Sequence, residues 1–137
     1  MADAASLHRE MFEVAFARDF EGLRAFYHPD YVYMAGDGVE QPGADAGVAV
    51  AETFLTAFPD MVFELRAQYA PSDDVSIIEF TAKGTHQAPL EDIPATGRPV
   101  TMHVCNVLEV RDGKIHRERE YYDTISLLQQ LGVMGDG

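Results

Sequence analysis

The sequence predicts an α+β fold: amphipathic helices early in the chain, then a run of strands joined by short connections, then one closing helix. Two periodicities carry this. Apolar residues recur at three- and four-residue steps over 4–18, 20–26 and 51–58, the spacing of one helix face. From Met61 the period falls to two, with Met61, Phe63, Leu65, Ala67 and Tyr69 alternating with Val62, Glu64, Arg66 and Gln68. Consecutive strands with short links pair antiparallel, and helices segregated ahead of them must cover one sheet face. The expected architecture is a curved antiparallel sheet wrapped around N-terminal helices.

The first helix rests on Leu7, Met11, Phe12, Ala15 and Phe16. Asp19 is placed to cap a second, short helix carrying Phe20, Leu23 and Phe26, which "HPD" ends at Pro29. "YVYM" reads as a short strand and "AGDGVEQPGADAG" as a loop. Ala51, Phe54, Leu55 and Phe58 form a third stripe, stopped by Pro59. After the strand from Met61 come "VSIIEFTAKGTH", "PVTMHVCNVLEV" and "KIHREREYYD", the last two joined by "RDGK", in which Asp-Gly suits a two-residue type I′ turn. "TISLLQQLGV" closes the chain as a helix with Thr124 as N-cap and Gly132 as its stop.

Composition bounds the function. The 137 residues, 47% hydrophobic and 24% charged, suit one domain spanning 1–137 around a single core. A formal charge of −13 argues against nucleic acid and anionic membrane as partners, since both repel an acidic surface. The lone Cys105 cannot form an intrachain disulfide, no apolar run approaches the roughly 20 residues of a membrane span, and the early charges of "MADAASLHREMFE" do not suit a secretory signal. A cytoplasmic enzyme or binding protein of a small molecule is expected.

The hairpin divides the charged stretch "HREREYYD" between two faces. If Asp112 and Gly113 are the loop residues, positions summing to 225 face each other and side chains sort by parity. One face then holds Met102, Val104, Asn106 and Leu108 with Ile115, Arg117, Arg119, Tyr121 and Asp123; being apolar along its first strand except at Asn106, it should point toward the helices. Glu118 and Glu120 fall on the outer face with Cys105, Val107 and Tyr122, apolar enough to expect a homodimer through it. Parity on the preceding strand makes His86 the polar end of an inward row with Ile78, Phe80 and Ala82.

Each of these residues also has a structural reading. Asp123 can cap the following helix, Arg119 can sit in an ion pair, His86 can be a hydrogen-bonded strand-end histidine, and Asn106 and Tyr121 can be satisfied core polar groups. Met34, Met61 and Met102 read as core filler. No Gly-rich phosphate loop precedes a helix, the five histidines lack paired metal-ligand spacing, and no serine has nucleophile-elbow context. What remains is acid/base chemistry by a buried carboxylate, with neither cofactor nor metal.

Five stretches, "TAFPDMVFE", "FTAKGTH", "IPATGRPV", "VRDGKI" and "EYYD" running into "LLQQLGV", stand in an order that resembles the SnoaL-like polyketide and ester cyclases of the nuclear transport factor 2-like superfamily. The resemblance implies a cone-shaped α+β barrel with a deep pocket between sheet and helices, usually homodimeric through the outer sheet face. It implies that Asp123 is the general acid/base and that His86 lines the pocket. The chain departs from many relatives in having Arg119 where they have tryptophan and Met34 where they have histidine. Val104 and Asn106 stand where the limonene epoxide hydrolase branch has an arginine and an aspartate, which argues against that chemistry. The expected activity is cofactor-independent intramolecular aldol cyclisation of a carbonyl-rich molecule, with Asp123 as base, Asn106, Tyr121 or His86 as donors, and Arg119 as a contact for an ester or acid group. A dehydratase or isomerase using the same base, or a non-catalytic binding module, is the alternative.

Overall fold

The computed structural model describes residues 3–134. Helix α1 (Ala4–Phe16) starts where the Asp3 side chain accepts from the Ser6 amide, and α2 (Phe20–Arg24) where Asp19 accepts from the Gly22 amide. Then come β1 (Tyr27–Ala35), β2 (Glu40–Pro42), α3 (Ala44–Ala57), β3 (Val62–Ser72), β4 (Val75–Thr85), β5 (Pro99–Arg111), β6 (Lys114–Tyr121) and α4 (Thr124–Gln130). The fold is the α+β arrangement that the two periodicities predict.

The six strands form one curved, unclosed sheet in the order β2-β1-β6-β5-β4-β3. β3 through β6 are a sequential antiparallel meander, whereas β1 lies parallel to β6, so the sheet is mixed at that seam. Proline 29 does not delay β1: its strand begins at Tyr27, and the register against β6 slips between Tyr27 and Val32 to let "HPDY" bulge away. The presumed loop after "YVYM" contains the short strand β2, whose residues are all exposed. Proline is tolerated there at the end of an edge strand, where its missing N–H breaks no ladder.

Helix α1 packs across β3, β4 and β5, and α3 lies along β1. Their apolar faces meet the concave side of the sheet. Phe12 is central to this layer: its ring lies 4.9 Å from Phe63 and 4.8 Å from Phe80. Met61 and Met102 are buried in the same core. Gly47 on α3 allows close approach, since a Cβ there would lie 2.7 Å from the Tyr31 hydroxyl and from Cζ of Tyr27.

The β5–β6 hairpin turns through Asp112 (φ 55°) and Gly113 (φ 73°), the two left-handed residues that a type I′ turn requires. Arg111 faces Lys114 and Val110 faces Ile115, as the turn dictates. Beyond that the register shifts: Glu109 pairs with Arg117, Leu108 with Glu118, Asn106 with Glu120 and Cys105 with Tyr121. A β-bulge at His116 inserts one residue into β6 and reverses the facing of everything after it. Glu118 and Glu120 therefore point inward. Arg119 and Tyr121, expected inside, are outside.

Candidate active site

The concave side of the sheet holds a cavity beneath α1 and α3, enclosing about 690 Å³ with the open solvent at its mouth included. Phe12, Phe16, Phe54 and Phe80 supply much of its wall. Among the described residues no lysine, arginine or histidine lines it; its charged groups are Glu118 and Glu120, joined by the phenols of Tyr27, Tyr33 and Tyr122. An apolar, concave site with a few convergent polar groups is the usual form of a small-molecule pocket.

The two carboxylates share one donor. Asn106 Nδ2 donates to Glu118 Oε2 at 2.9 Å and to Glu120 Oε2 at 3.0 Å. From β1, the Tyr31 hydroxyl donates to Glu118 Oε1 at 2.6 Å, and the Tyr33 hydroxyl reaches toward Glu120 Oε1 at 3.4 Å. Glu118 is thus held at both oxygens and is only 7% exposed. Glu120 is held firmly at one oxygen and leaves the other on the Tyr33 side.

Burial raises the pKa of both groups, because a carboxylate anion loses its hydration inside the core. For Glu118 the bonds from Tyr31 and Asn106 oppose this rise. For Glu120 the negative charge of Glu118 adds to burial, and the result lies at about 7 in spite of the bonds from Asn106 and Tyr33. The neighbouring phenols move the other way from reactivity: burial and the nearby glutamates push Tyr33 well above its usual value and Tyr122 up to about 12. Both remain protonated donors at neutral pH.

Behind Asn106 lies a second tier of buried polar groups. His8 Nε2 is 2.8 Å from Asn106 Oδ1, and His8 Nδ1 is 2.7 Å from Ser76 Oγ. The carboxylates fix the polarity of the whole chain. They need the Asn106 NH₂ on their side, so Asn106 Oδ1 faces His8 and accepts from Nε2–H. His8 Nδ1 then accepts from the Ser76 hydroxyl, whose oxygen accepts in turn from Gln68 Nε2 at 3.1 Å. Burial holds the His8 pKa down at about 4, against the opposing bond to Asn106, so the ring is neutral.

Of the residues singled out in the sequence, Asn106 alone sits at this centre. Asp123 is exposed and serves as the N-cap of α4, accepting from the Ser126 amide at 3.1 Å, a role the sequence allowed equally and which displaces Thr124 as the cap. Asp123 is thus exposed rather than buried as expected, because β6 ends before it and the chain passes directly into α4. Arg119 pairs with Glu109 on the outer face. Tyr121 is 41% exposed on that same face, while its neighbour Tyr122, expected outside, lines the cavity. His86 is fully buried but lies outside the cavity wall: its Nδ1 accepts from the Thr96 amide at 3.1 Å and its ring packs on Phe58.

Several site residues escaped the sequence reading. Glu118 and Glu120 face the cavity rather than the outer side that the hairpin parity predicts. His8 falls on the apolar stripe of α1, four residues before Phe12, and that position was the signal that could have found it. Tyr31 and Tyr33 occur two apart in "YVY", the spacing that places both hydroxyls on the face of β1 that meets the glutamates.

The fold is a cone-like α+β arrangement, a curved sheet over helices, with an apolar cavity whose polar floor is a pair of carboxylates. Residues 5–131 match the SnoaL-like polyketide cyclase family, and the chain belongs to it. Among solved structures, AclR from Streptomyces galilaeus, a hydroxylase candidate, superimposes with a TM-score of 0.82 at 29% identity, over 95% of this chain and 96% of that one. IdmH from Streptomyces antibioticus, a candidate polyketide cyclase, gives 0.78 at 28% identity over 93% and 97%. TsrD from Streptomyces laurentii gives 0.80 at 23% identity over 98% and 100%, a likeness of fold. No curated protein matches the chain. No helix among the described residues is long and apolar enough to cross a membrane.

Proposed function

We propose that the chain is a cofactor-independent enzyme in which Glu120 is the general base for ring closure, or a related proton transfer, on a carbonyl-rich small molecule. The observation that carries the reading is a carboxyl group facing an apolar cavity and sharing the Asn106 amide with a second, buried carboxylate; burial and that neighbour push its pKa up to about 7. A base is most effective when its pKa lies near the working pH. Glu120 takes a proton from a carbon between two carbonyls. The electron pair left behind moves onto a carbonyl oxygen as an enolate, and the Tyr33 and Tyr122 hydroxyls are the donors available to hold it. The enolate carbon forms a bond to a second carbonyl carbon of the same molecule, and the resulting alkoxide recovers the proton from Glu120. Protons and charge balance without a co-reactant. The negative charge of Glu118 adds to burial in raising the Glu120 pKa and so makes Glu120 the better base.

The same abstraction serves a dehydratase or isomerase, which differ in where the proton returns. The cyclase reading is favoured by the family and by the likeness to IdmH. We further propose that the protein works as a homodimer through its outer sheet face.

The test follows solvent deuterium incorporation at the acidic carbon of an aryl β-keto ester by NMR, above the buffer rate. Glu120→Gln should lower the enzyme-dependent rate by roughly 10²- to 10⁴-fold. A folded variant exchanging as fast as the wild type would remove Glu120 as the base.

A further inference from the structure

We infer that His8, on α1, is a positioning residue for the carboxylate pair: its Nε2–H pins the Asn106 amide so that Nδ2 faces Glu118 and Glu120 throughout the protonation cycle. The inference rests on the reading of Glu120 as the group that carries the proton.

The need arises when Glu120 is protonated. While both glutamates are charged, they orient Asn106 by themselves, because two acceptors call for its two N–H bonds. Once Glu120 takes up a proton it becomes a donor. An unrestrained Asn106 would then turn over and present Oδ1 to it. The proton would be held on the Asn106 side, away from Tyr33, and Glu118 would lose its bond from Nδ2. Favouring the protonated form in this way would also raise the Glu120 pKa further.

His8 blocks that rotation. Its Nε2 lies 2.8 Å from Asn106 Oδ1, and a turned amide would set N–H against N–H at a fully buried contact. The ring itself is fixed by Ser76 at Nδ1 and by stacking on Phe12 with centroids 5.4 Å apart. With both Oε2 atoms occupied by Asn106, the proton on Glu120 goes to Oε1, the oxygen toward Tyr33. The titratable groups around Glu120 are Glu118 from β6, Tyr27, Tyr31 and Tyr33 from β1, Tyr122 beyond β6 and His8 behind Asn106. His8 ionises at about 4, far below Glu120, so it keeps its donor and acceptor ends unchanged while Glu120 titrates.

A buried histidine that only ties α1 to the sheet would not affect where Glu120 titrates, and the experiment turns on that difference. Side-chain ¹³C-labelled glutamate gives the Glu120 midpoint by NMR, assigned through Glu120→Gln. A glutamine at position 8 can place its amide nitrogen near the Nε2 position and restore the bond to Asn106. An asparagine reaches only the Nδ1 position and restores the bond to Ser76. His8→Asn is expected to raise the midpoint by about 1 pH unit, and His8→Gln to leave it within about 0.3 of wild type. A folded His8→Asn protein with an unchanged midpoint overturns the inference. If that variant does not fold, long-range ¹H–¹⁵N spectra of the wild type decide, and a proton on Nδ1 at neutral pH overturns it. A wild-type Glu120 midpoint below about 5 would instead sink the reading of Glu120 as base, while the tautomer measurement still tests the His8 contact.

Discussion

Asn106 faces Glu120 across the β5–β6 ladder, where the hairpin turn alone would have put Arg119. That one-residue shift decides the chemistry of the cavity. Without the bulge at His116 the inward face of β6 would carry two arginines and no glutamate; with it, two carboxylates meet one amide in an apolar room.

If the bulge sets the site, the residues it turns outward should be dispensable for it. Arg119→Ala removes the ion pair with Glu109 on a partly exposed face, worth no more than about 1 kcal/mol. Chemical denaturation should show a change of that size, and the Glu120 midpoint should not move. A displaced midpoint would mean that Arg119 reaches the carboxylates.

Asp123→Asn is expected to be mild for a different reason. Asparagine is as good an N-cap as aspartate, and its side-chain oxygen can still accept from the Ser126 amide. Thermal stability should change by less than about 1 kcal/mol. Turnover should stay within a few-fold of wild type, whereas loss of turnover in a folded variant would return the base to position 123.

The contrast between these two positions shows what was legible in the sequence. The turn was legible, because Asp-Gly demands two left-handed residues and fixes Arg111 opposite Lys114. The apolar alternation of β5 also gave its inward face, from Met102 through Leu108. The phase of β6 was not legible, since between Ile115 and Tyr121 every residue is charged or histidine and no apolar side chain reports which face is buried. The bulge is settled by partners distant in sequence, the hydroxyls of Tyr31 and Tyr33 and the amide of Asn106, which can satisfy carboxylates inside. Asp123 was ambiguous because capping and catalysis use the same residue type at the same junction.

Gly47 should resist substitution even though alanine is the better helix former. A Cβ at this position would sit 2.7 Å from the Tyr31 hydroxyl that donates to Glu118. Gly47→Ala gains about 1 kcal/mol of helix propensity and incurs about 1–3 kcal/mol of overpacking. We expect net destabilisation on denaturation together with a further rise in the Glu118 pKa, since displacing the Tyr31 donor removes a bond to the charged form. A more stable protein with unaltered glutamate titration would show that α3 moves aside freely.

The proposed homodimer would pair through a specific row of residues on the outer sheet face. Tyr69 on β3, Ile77 on β4 and Val107 on β5 are register neighbours across the sheet, and Cys105 with Tyr121 stands beside them. Tyr121 takes the place on this face that the sequence reading gave to Tyr122. Val107→Glu sets a new charge within the row, beside Ile77, without touching the cavity. Light scattering should give a dimer mass for the wild type at micromolar concentration and a monomer mass for the variant. A monomeric wild type would remove the dimer proposal.

The raised pKa of Glu120 also fixes how stability depends on pH. In the unfolded chain this carboxyl ionises near its ordinary 4.5, and in the folded protein at about 7. Below 4.5 it is protonated in both states and contributes no difference. As pH rises toward 7 the unfolded chain releases the proton while the folded protein retains it, so the slope of unfolding free energy with pH is negative. The folded state loses on the order of 2 kcal/mol over this interval, allowing for the partial exposure of Glu120, and the loss levels off above 7. Glu120→Gln removes this titration and keeps an oxygen for Asn106 Nδ2 to bind. Melting temperatures of wild type and variant should nearly coincide at pH 4.5, and by pH 8 the variant should melt several degrees higher. The background repulsion of a chain with formal charge −13 acts on both proteins and largely cancels in the comparison. A gap that stays constant from pH 4.5 to 8 would mean that Glu120 titrates alike in both states, and its standing as a base tuned to neutral pH would go with it.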